Sequence, residues 1–164
     1  MKKILIKSLL VFCFIITVSN ANEKRKELKP ATKKNVIAVL SVNESLHSAF
    51  FTYSGKLVEK EARNLIEKIN DIKNEEISKL LQFSKSKLSE IKEANERDKN
   101  DQSYHSVSMA LIHIVNKYDL GSKYNAYSCP MVKKKWIQNS EKMSKVHNPY
   151  APGMPHCGLQ DSKY

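Results

Sequence analysis

Residues 56–72 read KLVEKEARNLIEKINDI. Val58, Ala62, Leu65, Ile69 and Ile72 step by four and three, so they share one face of a helix, and charged residues fill the other face. No glycine or proline interrupts the chain between Lys56 and Asn116, and no apolar–polar alternation of period two runs through it. The stretch therefore predicts helix, and the same logic extends outward from it. Val36, Val39, Leu40, Leu46 and Phe50 form an earlier stripe, which Ser54-Gly55 is placed to stop. Asn74 followed by Glu75 and Glu76 reads as a cap with an acidic first turn, suited to the helix dipole. Ile77, Leu80, Leu81, Ser84, Leu88 and Ile91 continue as a third stripe. Arg97 to Gln102 reads as a polar turn. Tyr104, Val107, Leu111, Ile114 and Tyr118 make a fourth stripe, closed by Gly121. The predicted fold class is all-α: an antiparallel four-helix bundle, or three helices with the second and third fused and bent near Asn70–Asn74.

The ends of the chain differ in kind from this middle. Residues 122–164 hold four of the five prolines and predict an irregular lobe folded onto the bundle, with a short helix near Ser140 to Val146. At the other end, Lys2, Lys3 and Lys7 precede the apolar run Ser8 to Val18 and the small-x-small site Ser19-Asn20-Ala21. This is the pattern of a secretory signal peptide over residues 1–21, cleaved after Ala21, and too short to span a bilayer as a helix. Residues 22–35 are polar, charged and broken by Pro30, and read as a flexible tether. A single helical domain is then expected over 36–164, with the motif lobe at 122–164. The expected location is periplasmic or secreted, and no transmembrane segment is expected once the signal is removed. The formal charge of +11, less the three signal lysines, is +8. Such a chain suits anionic surfaces or acidic partners. Nucleic acid is not expected, since no basic-and-aromatic reading motif occurs. The lysines are spread along the helices as solvated faces, and only Lys133-Lys134-Lys135 clusters.

Export removes Cys13 and leaves Cys129 and Cys157 as a defined pair. They lie in Cys129-Pro130-Met131 and Met154-Pro155-His156-Cys157. Thiolate, thioether and imidazole are the donors that soft transition metals prefer. If both segments are extended, alternate residues share a side. Cys129 then points with Met131, and Met154 with His156, so up to five donors can converge. Cu(I) accepts thiolate and thioether in low coordination number; zinc would take the thiolates and the imidazole. Both require reduced, deprotonated cysteines. The alternative is a Cys129–Cys157 disulfide between residues 28 apart. It would contribute ~3–4 kcal/mol in an oxidising compartment, with Met131 and Met154 filling apolar gaps. Residue chemistry alone leaves both readings open and the bridge narrowly ahead.

The order Tyr127-x-Cys129-Pro130-Met131, Trp136-Ile137, Asn148-Pro149-Tyr150, Met154-x-x-Cys157-Gly158 resembles the exported bacterial domain-of-unknown-function family 3347. Domains of that family occur alone or fused to periplasmic adaptors of heavy-metal efflux systems. The resemblance covers most of the chain after the signal, loosely over Val36 to Leu65 and Gln102 to Val115, and specifically in the C-terminal motifs. It implies a periplasmic, copper-related role in metal handling, carried at Cys129, Met131, Met154 and Cys157. An efflux adaptor or another envelope protein is the implied partner. The family does not fix histidine at His156, which becomes an optional donor. The segment between Asn-Pro-Tyr and the methionine is about one residue shorter here, and the family's helical arginine is not evident near Gln102-Ser103.

Other constellations are weaker. His105, Met109 and His113 recur at intervals of four on the fourth stripe's flank, and read as a second soft-metal patch or as the edge where the lobe docks. His47 and His147 are isolated in sequence and read as surface or packing residues. Trp136 reads as the anchor of the lobe, and Asn148-Pro149-Tyr150 as a turn returning the second cysteine. No nucleophile elbow, zincin motif or phosphate loop occurs, so no enzyme is expected. Two functions remain: a metal-handling protein of the envelope, with copper first and zinc second, or a metal-free binding module stapled by the disulfide.

Overall fold

A computed structural model describes residues 24–164; the signal peptide expected over 1–21 and its expected cleavage point lie outside the described residues. Four helices come first: α1 (Pro30–Phe51), α2 (Gly55–Asn70), α3 (Glu75–Ser89) and α4 (Arg97–Lys117). The cap expected at Asn74 is formed, and Ser54, expected as a stop after the first stripe, also caps α2. Ser54 accepts a hydrogen bond from the Leu57 N–H at 3.4 Å and Asn74 accepts one from the Ile77 N–H at 3.0 Å. Asn74 thus starts a separate α3, and the fused, bent alternative does not occur. Each helix packs on the next in the chain. The apolar stripes of all four close a single core that includes Leu40, Phe50, Leu65, Leu81, Tyr104 and Leu111.

The fold is not purely α-helical. After α4 come β1 (Tyr124–Cys129), β2 (Lys134–Asn139) and β3 (Leu159–Gln160), in an antiparallel sheet of order β2-β1-β3. The first two form a hairpin whose register pairs Cys129 with Lys134 and Tyr127 with Trp136. Pro130 to Lys133 make its turn, and Lys133 takes a left-handed backbone with φ of 53°. The class is therefore four helices followed by a small sheet. The expectation of an irregular lobe failed for a physical reason. All residues of β1 except Ser128 are buried, so both of its faces are covered and no period-two alternation is left to read.

Three other expectations are corrected. The described part of the 22–35 tether is ordered. Lys26 bridges Tyr118 through Lys26 N–H to Lys117 O at 2.8 Å and Asp119 N–H to Lys26 O at 2.9 Å. Pro30 opens α1, where its missing N–H costs nothing. The polar run Arg97–Gln102 is the first turn and a half of α4, not a turn, and Asn100 within it is buried with partners of its own. Buried Asn100 accepts from the Lys92 N–H and the Asn95 amide, and donates to Lys92 O and the Tyr53 hydroxyl. The segment 140–146 is a set of turns rather than a helix. Buried Gln138 donates to Met143 O and Lys145 O and accepts from the His147 N–H, so a side chain replaces the helical ladder.

The sheet docks on α4 through a file of aromatic rings. Tyr127, Trp136, Tyr150, Tyr104 and Phe50 follow one another at centroid spacings of 6.0, 6.3, 5.7 and 4.4 Å. Gly158 closes this packing. Its φ is +154°, and a Cβ there would sit 2.8 Å from the Trp136 ring and 2.9 Å from Ser128 O. Gly158→Ala is expected to lower unfolding free energy by about 2–3 kcal/mol, seen as a lower urea midpoint by circular dichroism. An unchanged midpoint would show that the ring and strand yield freely.

Candidate functional site

Cys129 ends β1, and Cys157 lies in the loop that leads into β3. The neighbouring strands bring their sulfurs to 2.8 Å. That separation falls between a disulfide bond, at about 2.0 Å, and two thiolates sharing a tetrahedral zinc, at about 3.8 Å from its ~2.3 Å bonds. Cys129 is 1 % exposed and Cys157 is half-buried. Burial pushes the Cys129 thiol up. The Cys157 thiol, the N–H groups of Val132 and Met131 and the Asn148 side chain outweigh it and leave Cys129 below the ordinary thiol range. The same sulfur–sulfur contact raises Cys157. The contact between the sulfurs thus favours loss of the proton from Cys129 before Cys157.

The second cysteine is held by Asn148. Its buried amide donates to Cys157 O at 2.8 Å, its N–H donates to Pro155 O at 2.8 Å, and its side-chain oxygen accepts from the Tyr150 N–H at 2.9 Å. The Tyr150 hydroxyl meets Ser108 of α4 at 3.1 Å in the interior. Arg97 donates both to Pro149 O at 3.0 Å and to Phe50 O at 3.2 Å. The turn expected at Asn148-Pro149-Tyr150 thus ties Cys157 to two helices.

The remaining donor residues, unlike Cys129, are exposed. Met131 is 68 % exposed and Met154 is 43 % exposed. The extended segments expected to line them up do not form. Met131 belongs to the hairpin turn, and Met154 and His156 lie among successive turns, so alternate residues do not share a side. His156 is exposed, and its Nδ1 lies 2.7 Å from Val146 O, which leaves Nε2 as its free nitrogen. Among the described residues no three His, Cys, Asp or Glu side chains are grouped to hold a metal ion. A metal here would rest on the two thiolates and the thioethers beside them.

The weaker set on α4 is split along the helix. His105 meets Tyr150 edge-on at 6.1 Å, and burial, with Lys134 and Lys135, lowers its pKa. It stands at the docked edge of the sheet. Met109 and His113 face outward, and His113 shares a groove with Lys24, Arg25, Lys26 and Lys117, a setting that repels cations.

His47 and His147, a hundred residues apart in sequence, are in contact: Nε2 to Nδ1 is 3.1 Å. Burial, then the neighbouring His147, pushes His47 down to about 3. Phe51 stacks on the His147 ring, and the pair is a neutral packing contact between α1 and the loop. Only the polar singularity of the two positions hinted at it. Arg97 and Asp101 had no sequence signal at all, because both sit in a stretch that reads as a surface turn.

The chain matches no protein-family model, no curated protein and no solved structure.

Asp101 provides a test of how the sheet is seated. It is buried, its Oδ1 has no partner, and Arg97 approaches Oδ2 at 3.5 Å. Burial raises its carboxyl to about 6, against the pull of Arg97 and Lys134. The folded state thus holds this proton more tightly than the unfolded chain. The stability it contributes is fully present below about pH 4 and is lost as pH rises through 6. Asp101→Asn is expected to gain on the wild type by about 2–3 kcal/mol between pH 4 and pH 7, read from paired urea titrations. A pH-independent difference would overturn the assignment.

Proposed function

We propose that this chain is an exported metal-handling protein and that Cys129 and Cys157 are its donors for Cu(I). The observation that carries the reading is the meeting of the two sulfurs at 2.8 Å, with solvent-exposed methionines two residues after Cys129 and three before Cys157. Buried methionine would indicate packing. Methionine exposed next to a dithiol is instead available as a ligand that needs no deprotonation. A soft monovalent ion accepts two thiolates with one or two thioethers, whereas zinc seeks a four-donor shell of thiolate, imidazole or carboxylate. His156 serves as an outer donor. The helices, arranged as an antiparallel bundle, are the scaffold that holds this corner rigid. The signal-peptide pattern and the resemblance to the exported family support a periplasmic setting. They also support an efflux adaptor or other envelope protein as the source or recipient of the metal. The role is binding and transfer, without catalysis.

A second reading rests on the same short contact. A Cys129–Cys157 disulfide would staple a metal-free docking module, with Lys133-Lys134-Lys135 beside it. The two are separated by preparing the mature protein, counting free thiols, and measuring copper and zinc by elemental analysis before and after reduction. The metal reading expects one copper per reduced chain, and loss of that copper in Cys129→Ser. Blocked thiols with no copper uptake after full reduction would overturn it and leave the stapled module.

A further inference from the structure

We infer that this corner also reduces Cu(II): the Cys129/Cys157 pair supplies two electrons, closes to a disulfide, and leaves Cu(I) on the thioethers of Met131 and Met154. The inference rests on the copper reading above and adds an activity to it.

Geometry selects the oxidant. Cys129 is almost wholly enclosed, and only Cys157 is partly open to solvent. A protein disulfide would have to form a mixed disulfide at Cys157 in a loop clamped by Asn148 and by the Cys157 N–H to Met154 O bond. An ion meets no such obstacle. His156 precedes Cys157, is exposed, and has Nε2 free while Nδ1 is engaged by Val146 O. Imidazole nitrogen suits Cu(II), while thioether sulfur suits Cu(I). Candidate ligands for the two oxidation states are therefore carried within three residues of one or the other cysteine.

The balance is complete without a further reagent. Two Cu(II) each accept one electron. Two S–H bonds break, one S–S bond forms, and two protons pass to solvent, giving two Cu(I) and one disulfide. The sulfurs start at 2.8 Å, so closure needs a side-chain adjustment and no movement of strand or loop. After closure the thiolates no longer ligate, whereas the thioethers are unchanged. The product is thus held by groups that the reaction does not consume. Each reduced chain performs one such event.

The test uses the fully reduced mature protein under anaerobic conditions, mixed with two equivalents of copper(II) sulfate. Cu(I) is read with a chromogenic Cu(I) chelator, thiols by titration, and chain linkage by non-reducing electrophoresis. The expected result is two Cu(I) per chain, loss of both thiols, and a monomeric product. Cys157→Ser and Cys129→Ser should each react about tenfold more slowly, since the partner thiol is no longer held in place; Cys129→Ser, whose remaining thiol is partly open, should give linked dimers, and Cys157→Ser, whose remaining thiol is enclosed, should stay monomeric. His156→Ala should slow the reaction without changing its stoichiometry. Met131→Leu with Met154→Leu should leave the reduction intact and release Cu(I) to the chelator faster. Copper(II) retained with both thiols intact, or equal rates in the single-cysteine variants, would overturn the inference. Direct titration of the reduced protein with Cu(I) is run beside it. Cu(I) binding without reduction of Cu(II) sinks this inference alone, and absence of Cu(I) binding sinks the copper reading beneath it.

Discussion

The file of rings from Tyr127 through Trp136, Tyr150 and Tyr104 to Phe50 joins the sheet to the helices, and the cysteine corner depends on it. Offset and edge-on aromatic contacts each add about 0.5–1.5 kcal/mol beyond area burial. Their larger effect here is positional. Tyr150 is the middle member, and its hydroxyl meets Ser108 on α4 while its N–H is taken by Asn148. The same asparagine holds Cys157. One ring therefore sets the distance between a helix and a sulfur. The Asn-Pro-Tyr motif is the covalent form of that link: an amide for the loop, a rigid residue for the turn, a ring for the core.

The helical half of the fold could be read from spacing because its stripes face a single core and its caps are local. Residues 56–72 carry their own evidence: five apolar positions on one face, and charges on the other. Ser54 and Asn74 needed only the next three residues to do their work. The sheet lacked this transparency. Tyr124 to Cys129 are covered on both sides, and β2 begins with lysines, so neither strand alternates. The start of α4 was masked for the opposite reason. Asn100, Asp101 and Ser103 are polar yet buried, and Asn100 and Ser103 are satisfied by Lys92, Asn95, Tyr53 and Glu90, partners that no local pattern announces.

At the site, the pairing of Cys129 with Cys157 was legible because only two cysteines lie beyond residue 21. The orientation of the methionines was not, since it depends on whether residues 130–133 and 152–156 are extended or turned. Turns in both segments leave the two cysteine sulfurs in contact and the two methionines exposed. The imidazole contact of His47 with His147 joins residues from opposite ends of the chain, and only the packed structure brings it about.

The strap formed by Lys26 on Tyr118 also brings the two ends of the folded body together. Arg25 lies 3.7 Å over the ring of Tyr164 and pairs with Asp119 at 3.3 Å, while the Tyr164 hydroxyl meets Asn116 at 2.7 Å. The polypeptide enters and leaves at one place, on the opposite flank of α4's length from the ring of Tyr150. A body of this shape can be spliced into a surface loop of a host, or strung beside a second copy, without stretching either connection. Traction on its two ends would load the Lys26 strap on one side and, on the other, the short β3, whose Gln160 pairs with Tyr127 of the aromatic file.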